Sequence, residues 1–183
     1  MRVIRWGVVG CGDIVRRRVG PALKSLLGCE IAGVARRDPE RLESCREKMQ
    51  VERGFIDWRD LVRDDAIEAV YIATPVRTHC DQVLAALEHG KHVLCEKPFT
   101  VSAREARNLF RMAEQSSVFV MEAMWTWFLP AIRKALEWVQ QGRIGPVRQV
   151  KADFGYPMMP FDPDSREYNA ELAGGCLLDM GIY

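Results

Sequence analysis

No window of this chain is apolar for long enough to span a bilayer, and no block of one charge stands out from a formal net charge of +1. The first absence argues against a membrane helix, and the second against a nucleic-acid surface. Arg16-Arg17-Arg18 is the densest basic run, and early in a helix it reads as a solvated face. Metal-ligand spacing is also missing. The cysteines, at positions 11, 29, 45, 80, 95 and 176, include no Cys-x-x-Cys pair, so reduced thiols in a cytoplasmic protein are the simplest account. His89 and His92 flank Gly90 at a helix end and read as turn polar groups, so no metal is expected. Arg2 and Arg5 precede only a short apolar stretch that leads into a glycine turn, so the chain as given is expected to stay in the cytoplasm. Low-complexity linkers and repeats of solenoid period are absent as well.

What remains is an ordinary globular composition, 48% hydrophobic over 183 residues, enough for one complete core. Strand and helix patterns alternate along it. Val3 to Val9 reads as a strand, residues 30–35 as a second, and Pro39 to Met49 as a helix with proline at its start. Phe55-Ile56 is a short strand, residues 60–63 a helical turn, and residues 69–73 an apolar strand ending at Thr74-Pro75. Residues 78–89 are helical and stop at Gly90, residues 93–95 are a buried strand, and Ser102 with Glu105 forms a capping box for a helix through Ala113. Residues 118–121 close the set. This order predicts a doubly wound α/β domain with a parallel Rossmann sheet over residues 1–122. A cluster of Trp125, Trp127, Phe128 and Pro130 then opens residues 123–183, the start of an incomplete α+β second domain.

The first strand runs into Gly10-Cys11-Gly12-Asp13-Ile14-Val15. Two glycines let a backbone turn sharply and approach a pyrophosphate, whose charge is met by free N–H groups at the helix start. Val15 fills the third, normally small position and should push the helix slightly from the strand. In an open parallel sheet, ligands gather beyond the carboxyl ends of the strands, so Gly10, Gly12, Asp13, Ile14, Arg36, Arg37, Thr74, Pro75, Glu96 and Lys97 are expected around one crevice. An acidic residue at the end of the second strand would bond the ribose 2′-hydroxyl of NAD. This sequence instead has Ala35-Arg36-Arg37-Asp38, with Arg41 a turn further on. Guanidinium forks suit a 2′-phosphate, so NADP(H) is preferred and NAD(H) retained as the alternative. His79 is either a contact to the cofactor's edge or a solvated residue at a helix start.

Cys95-Glu96-Lys97-Pro98 follows an apolar strand and places an ionisable pair beside a proline. Together with the glycine turn, Ala73-Thr74-Pro75, the block Gly90 to Pro98 and the segment Gly174 to Tyr183, it resembles the glucose–fructose oxidoreductase, inositol dehydrogenase and MocA family of nicotinamide-dependent oxidoreductases. Glu122-Ala123-Met124-Trp125-Thr126 and Tyr183 are similar to the branch holding dimeric dihydrodiol dehydrogenase and sugar 1-dehydrogenases. Trp127 departs from it, standing where arginine is expected.

Alcohol oxidation needs a group to remove the hydroxyl proton, and a phenol with an unperturbed pKa near ~10 is too weak a base at neutral pH. A nearby ammonium would correct this, and Lys97 is the candidate. Asp179 and Tyr183 are four residues apart, so a helix opened by Gly174-Gly175 would place both on one face. The resemblance implies catalytic roles for Lys97, Tyr183 and Asp179, a cis Lys97–Pro98 bond, and a substrate pocket walled by Trp125 and Phe154. The substrate it implies is a small sugar, oxidised at the anomeric hydroxyl, or a trans-dihydrodiol.

The resemblance also implies a longer protein, with a second sheet that packs under the nicotinamide and forms a homo-oligomer. Residues 147–154 would be the first strand of that sheet. Leu177, Leu178 and Ile182 would then lack cover, and a terminal carboxylate on Tyr183 would oppose the phenolate. The chain therefore reads as a fragment of an enzyme whose first domain folds. The rival readings are a cofactor-binding or regulatory module without turnover, and a remnant that binds neither cofactor.

Overall fold

The computed structural model describes residues 2–183, which divide between Glu122 and Ala123 into two compact units. In the first, six strands form one parallel sheet: β1 (Ile4–Val9), β2 (Cys29–Ala35), β3 (Gly54–Phe55), β4 (Ala69–Ile72), β5 (His92–Cys95) and β6 (Val120–Glu122). Their order is β3-β2-β1-β4-β5-β6, and the chain reverses its winding between β1 and β4. Helices α1 (Gly20–Ser25), α2 (Pro39–Met49), α3 (Trp58–Arg63), α4 (His79–Glu88) and α5 (Ala103–Ser116) are interleaved with the strands. This is the dinucleotide-binding α/β architecture.

Local chemistry sets the helix starts. Asp38 accepts a hydrogen bond from the Arg41 amide at 3.0 Å and Pro39 takes the first helical position, which together open α2. Asp57 caps α3 through the Arg59 amide, and Ser102 caps α5 through the Glu105 amide. The core is apolar and continuous: Val9, Ile72, Val83, Val93, Cys95 and Leu109 belong to one cluster that joins sheet and helices. Burial of this kind stabilises by roughly 25 cal/mol per Å² of apolar surface removed from water.

The register aligns the strand ends. Ala35 pairs with Val9, Val9 with Ile72, Ile72 with Cys95, and Cys95 with Glu122. The next residues along the chain, Arg36, Gly10, Ala73 and Glu96, therefore leave the sheet side by side. Backbone bonds extend the ladder past the strands: the amides of Gly10, Ala73 and Glu96 donate to the carbonyls of Ala35, Val9 and Ile72. Val15 is fully buried, and its accommodation is local. Residues Val15–Val19 wind as a π-helix, with the Gly20 amide donating to the Val15 carbonyl, and this wider turn gives the side chain room.

The second unit holds α6 (Pro130–Gln140), α7 (Cys176–Asp179), two 3₁₀ turns and irregular chain, and none of its residues is fully buried. Two expectations are corrected here. Residues 147–154 make no strand, because a strand requires a ladder partner and no strand forms among residues 123–183. Helix α7 ends at Asp179, so Tyr183 lies beyond it and not one turn up the same face. The amides of Met180 and Gly181 both donate to the Cys176 carbonyl, closing the helix where glycine disfavours its continuation.

Candidate functional site

In the first unit, a cleft of about 640 Å³ lies beyond the carboxyl ends of β1, β2 and β4. Gly10, Cys11 and Gly12 form its floor, Arg36 and Arg37 one side, and Thr74 and Pro75 the other. Gly10 has φ +91°, and a Cβ there would stand 2.6 Å from the Ala73 carbonyl oxygen, so only glycine fits the turn. Gly12 is different. A Cβ at Gly12 would meet nothing within 4 Å, so no packing within the chain requires glycine there. The open space above Gly12 is the approach that a pyrophosphate needs.

Arg36 is half-buried and donates from Nη1 to the Cys11 carbonyl at 2.7 Å, which ties the end of β2 to the glycine turn. Arg37 is exposed on the cleft wall. Arg41 does not reach that cleft. It lines a neighbouring cavity of about 360 Å³ with Arg16, Arg36, Ser44 and the two thiols Cys11 and Cys45. Arg41 also pairs with Asp38 at 3.6 Å. Asp38 also lines the cleft, with its carboxylate capping α2. Asp13 and Ile14 are exposed and line neither cavity. Asp13 instead pairs with Arg16 and Arg17, and the Arg16 guanidinium holds its carboxyl below the usual range.

His79 is corrected as a cofactor contact. It is 1% exposed at the start of α4, with Nδ1 3.0 Å from the Pro98 carbonyl and Nε2 2.8 Å from the Thr74 carbonyl. Burial pushes its pKa down against these carbonyl acceptors. The ring fastens the Thr74-Pro75 wall to the loop after β5. Glu96 and Lys97 are half-buried at the end of β5, outside the cleft lining, and the Lys97–Pro98 bond is cis. Glu96 accepts hydrogen bonds from the Tyr71 hydroxyl at 2.5 Å and from the Lys97 amide at 3.2 Å. Burial pushes the Tyr71 phenol well up, and the Glu96 charge adds to the effect.

Sequence reasoning missed Tyr71, a strand residue that becomes relevant only when β4 and β5 are paired. It also missed Gln82, which accepts from the Thr74 hydroxyl, and Glu122, which accepts from the Phe99 amide at 2.8 Å. Ile56, Trp58 and Arg59, the last over the Trp58 ring at 4.4 Å, add an outer wall to the cleft.

The second unit brings its predicted aromatics together. Tyr183 meets Trp125 and Phe154 edge-on, with ring centroids 5.6 and 5.3 Å apart, and the Trp125 indole N–H donates to the Tyr183 hydroxyl oxygen at 3.0 Å. Asp179 and Phe154 line a cavity of about 350 Å³.

Known proteins share this pattern. Residues 4–124 match a family model described as GFO/IDH/MocA, an oxidoreductase family with an NAD-binding Rossmann fold, and residues 132–183 match the GFO/IDH/MocA C-terminal domain. The chain is 38% identical to trans-1,2-dihydrobenzene-1,2-diol dehydrogenase from Mus musculus, over 98% of its own length and 54% of the relative's. It is 36% identical to a dTDP-3,4-didehydro-2,6-dideoxy-alpha-D-glucose 3-reductase from Actinomadura kijaniata, over 98% and 53%. A crystal structure of a 3-ketoreductase from Actinomadura kijaniata, in complex with NADP and TDP-benzene, superposes with a TM-score of 0.89 at 34% identity, over all of this chain and 55% of that one. The chain thus spans about half the length of the curated relatives it matches.

Proposed function

The chain belongs to the GFO/IDH/MocA oxidoreductase family, and from that premise we propose that it carries the NADP(H) site of a dehydrogenase or reductase acting on a ring diol or a sugar. The observation that carries this reading is Arg36-Arg37 at the end of β2, where a carboxylate would read the ribose of NAD. Planar guanidiniums beside the glycine turn match a 2′-phosphate instead. Arg16 and Arg41, in the adjoining cavity, add to the positive field. The solved relative that holds NADP supports the same choice.

When bound, the nicotinamide supplies a hydride acceptor or donor for the carbinol carbon. The residues of this chain would handle the proton and the oxygen. Lys97 is proposed to bond the substrate oxygen as charge develops there, and Tyr183 to take or return the hydroxyl proton. The Trp125 indole N–H holds the phenol oxygen at 3.0 Å. Asp179 is proposed as the polarising group, and Trp125 and Phe154 as the apolar wall against a substrate ring. Relatives named for a ring diol and for a keto-sugar support that substrate class.

The test is cofactor reduction with trans-dihydrodiols and aldoses. Lys97→Met should abolish turnover at unchanged NADPH affinity, and undiminished turnover overturns the mechanism. A second reading is a binding module without turnover, favoured by a second unit in which no residue is fully buried. Saturable NADPH binding with no reduction of NADP by any sugar or diol would select it.

A further inference from the structure

Gln82 is only 3% exposed, yet it lines the cleft beyond the strand ends. Its side-chain oxygen accepts from the Thr74 hydroxyl at 2.5 Å, a separation that suits O–H···O and is too short for an amide N–H donor. That bond fixes which way the amide points. The Thr78 hydroxyl, 2.9 Å from the Thr74 oxygen and 2.8 Å from the Pro75 carbonyl, steadies the Thr74 side chain. The Gln82 nitrogen has no hydrogen-bond partner among the described residues, and it is not sealed from solvent, so its N–H groups open onto the cleft. A buried amide with an unmet donor calls for an acceptor on a ligand.

We propose that Gln82 and Asp81, in the first turn of α4, read the edge of a purine base, so that the cleft selects adenine over hypoxanthine. Asp81 is exposed, lines the same cleft and forms no ion pair among the described residues. Its carboxylate can only accept a hydrogen bond, and the free Gln82 nitrogen can only donate one. Adenine offers the matching pair on the edge far from its ribose: an exocyclic amino group that donates, beside a ring nitrogen that accepts. Hypoxanthine reverses both, with a carbonyl oxygen facing the carboxylate and a ring N–H facing the amide N–H groups.

The placement of the base rests on the cofactor reading above. The glycine turn and the arginines account for the phosphates, and neither accounts for the base. Strands β2 and β4 flank β1, so the Arg36-Arg37 wall and the Thr74 wall stand two strand spacings apart, roughly 10 Å. A ribose whose 2′-phosphate is held at the arginines therefore turns the far edge of its base toward α4. Helix α3 packs against α4 and completes the slot. The Arg59 guanidinium lies over the Trp58 ring at 4.4 Å, which makes a flexible side chain into a flat shelf on the cleft wall. Such a shelf stacks on any purine, so the choice between purines falls to Asp81 and Gln82.

The experiment titrates the whole chain calorimetrically with NADPH and with its hypoxanthine analogue, and then with adenosine diphosphate and inosine diphosphate. NADPH should bind tighter than its analogue by roughly ten- to a hundredfold, and adenosine diphosphate should be preferred in the same direction. Asp81→Asn and Gln82→Met should each reduce the NADPH ratio by roughly three- to tenfold. Arg59→Ala should weaken both ligands and leave their ratio in place. A cleft that is merely loosened loses both affinities together, so the ratio separates base reading from a structural effect. If Gln82→Met folds poorly, Asp81→Asn at its exposed position decides. Equal affinity for NADPH and its analogue, or a ratio that neither substitution moves, overturns the proposal and leaves the cofactor reading standing. If NADPH fails to bind, the cofactor reading falls and the two diphosphates decide the base pocket: a preference for the adenine form upholds it, and equal or absent binding overturns it.

Discussion

Replacing each of two neighbouring glycines by alanine separates what the fold requires from what a ligand requires. At Gly10 the new methyl would stand 2.6 Å from the Ala73 carbonyl oxygen and 2.9 Å from its carbon, on a backbone with φ +91°. The left-handed conformation costs an L-residue roughly 1–2 kcal/mol, and the clash with main chain that cannot swing away adds about 1–3 kcal/mol. Gly10→Ala should therefore lose about 2–5 kcal/mol, a large part of the total stability of a typical domain. At Gly12 the methyl meets nothing within 4 Å, so folding should change by no more than about 0.5 kcal/mol. The same methyl enters the approach to the turn amides. Loss of one or two bonds to a charged phosphate should weaken NADPH by roughly ten- to a hundredfold. Urea unfolding read by tryptophan fluorescence, paired with NADPH titration, measures both quantities. A Gly12→Ala chain that binds NADPH as the wild type does would refute the assignment of this turn as the phosphate cradle. A Gly10→Ala chain with an unchanged urea midpoint would refute the packing argument.

Two further variants probe the walls of the cleft. Tyr71→Phe removes the hydroxyl that donates to Glu96 from a fully buried ring, and a hydrogen bond to a charged group is worth about 1.5–3 kcal/mol. The thermal midpoint should drop by roughly 3–10 °C, and an unchanged midpoint would show that Glu96 does not depend on it. His79 makes stability pH-dependent. Burial holds its folded pKa below the ordinary 6.5, so an unfolded chain takes up a proton near that value while the folded chain still resists it. Stability is then complete above pH 6.5 and declines as pH falls toward the depressed folded value, by at most ~1.4 kcal/mol per pH unit. The urea midpoint should fall between pH 6.5 and about 5, above the range where ordinary carboxylates titrate. His79→Gln should flatten that decline, and an equally steep decline in the variant would assign it to other groups.

The first unit was legible because its signals are local. Alternating strand and helix patterns, the glycine turn, the Pro39 helix start and the Ser102 cap each act within a few residues, and each element formed within a residue or two of its expected bounds or was slightly extended. The arginines at the end of β2 could be placed at the cleft because strand ends follow from strand order. What escaped the sequence depends on neighbours far along the chain. Tyr71 reaches Glu96 only through the pairing of β4 with β5, and Cys11 and Cys45 line one cavity only when α2 returns to the glycine turn. His79 resembled a polar helix start, and its burial between two carbonyls needed the loop after β5 to be folded. Residues 147–154 have strand-like composition without a ladder partner, and Gly181 closes α7 before Tyr183 can join it.

A fluorescence titration of this chain with NADPH and, separately, NADH at fixed ionic strength reads whether the cleft selects NADP(H). NADPH binding should saturate, be tighter than NADH binding and weaken when Arg36 or Arg37 is replaced by alanine. Binding of neither cofactor, or equal affinity for both with the arginines replaced and intact, would contradict it.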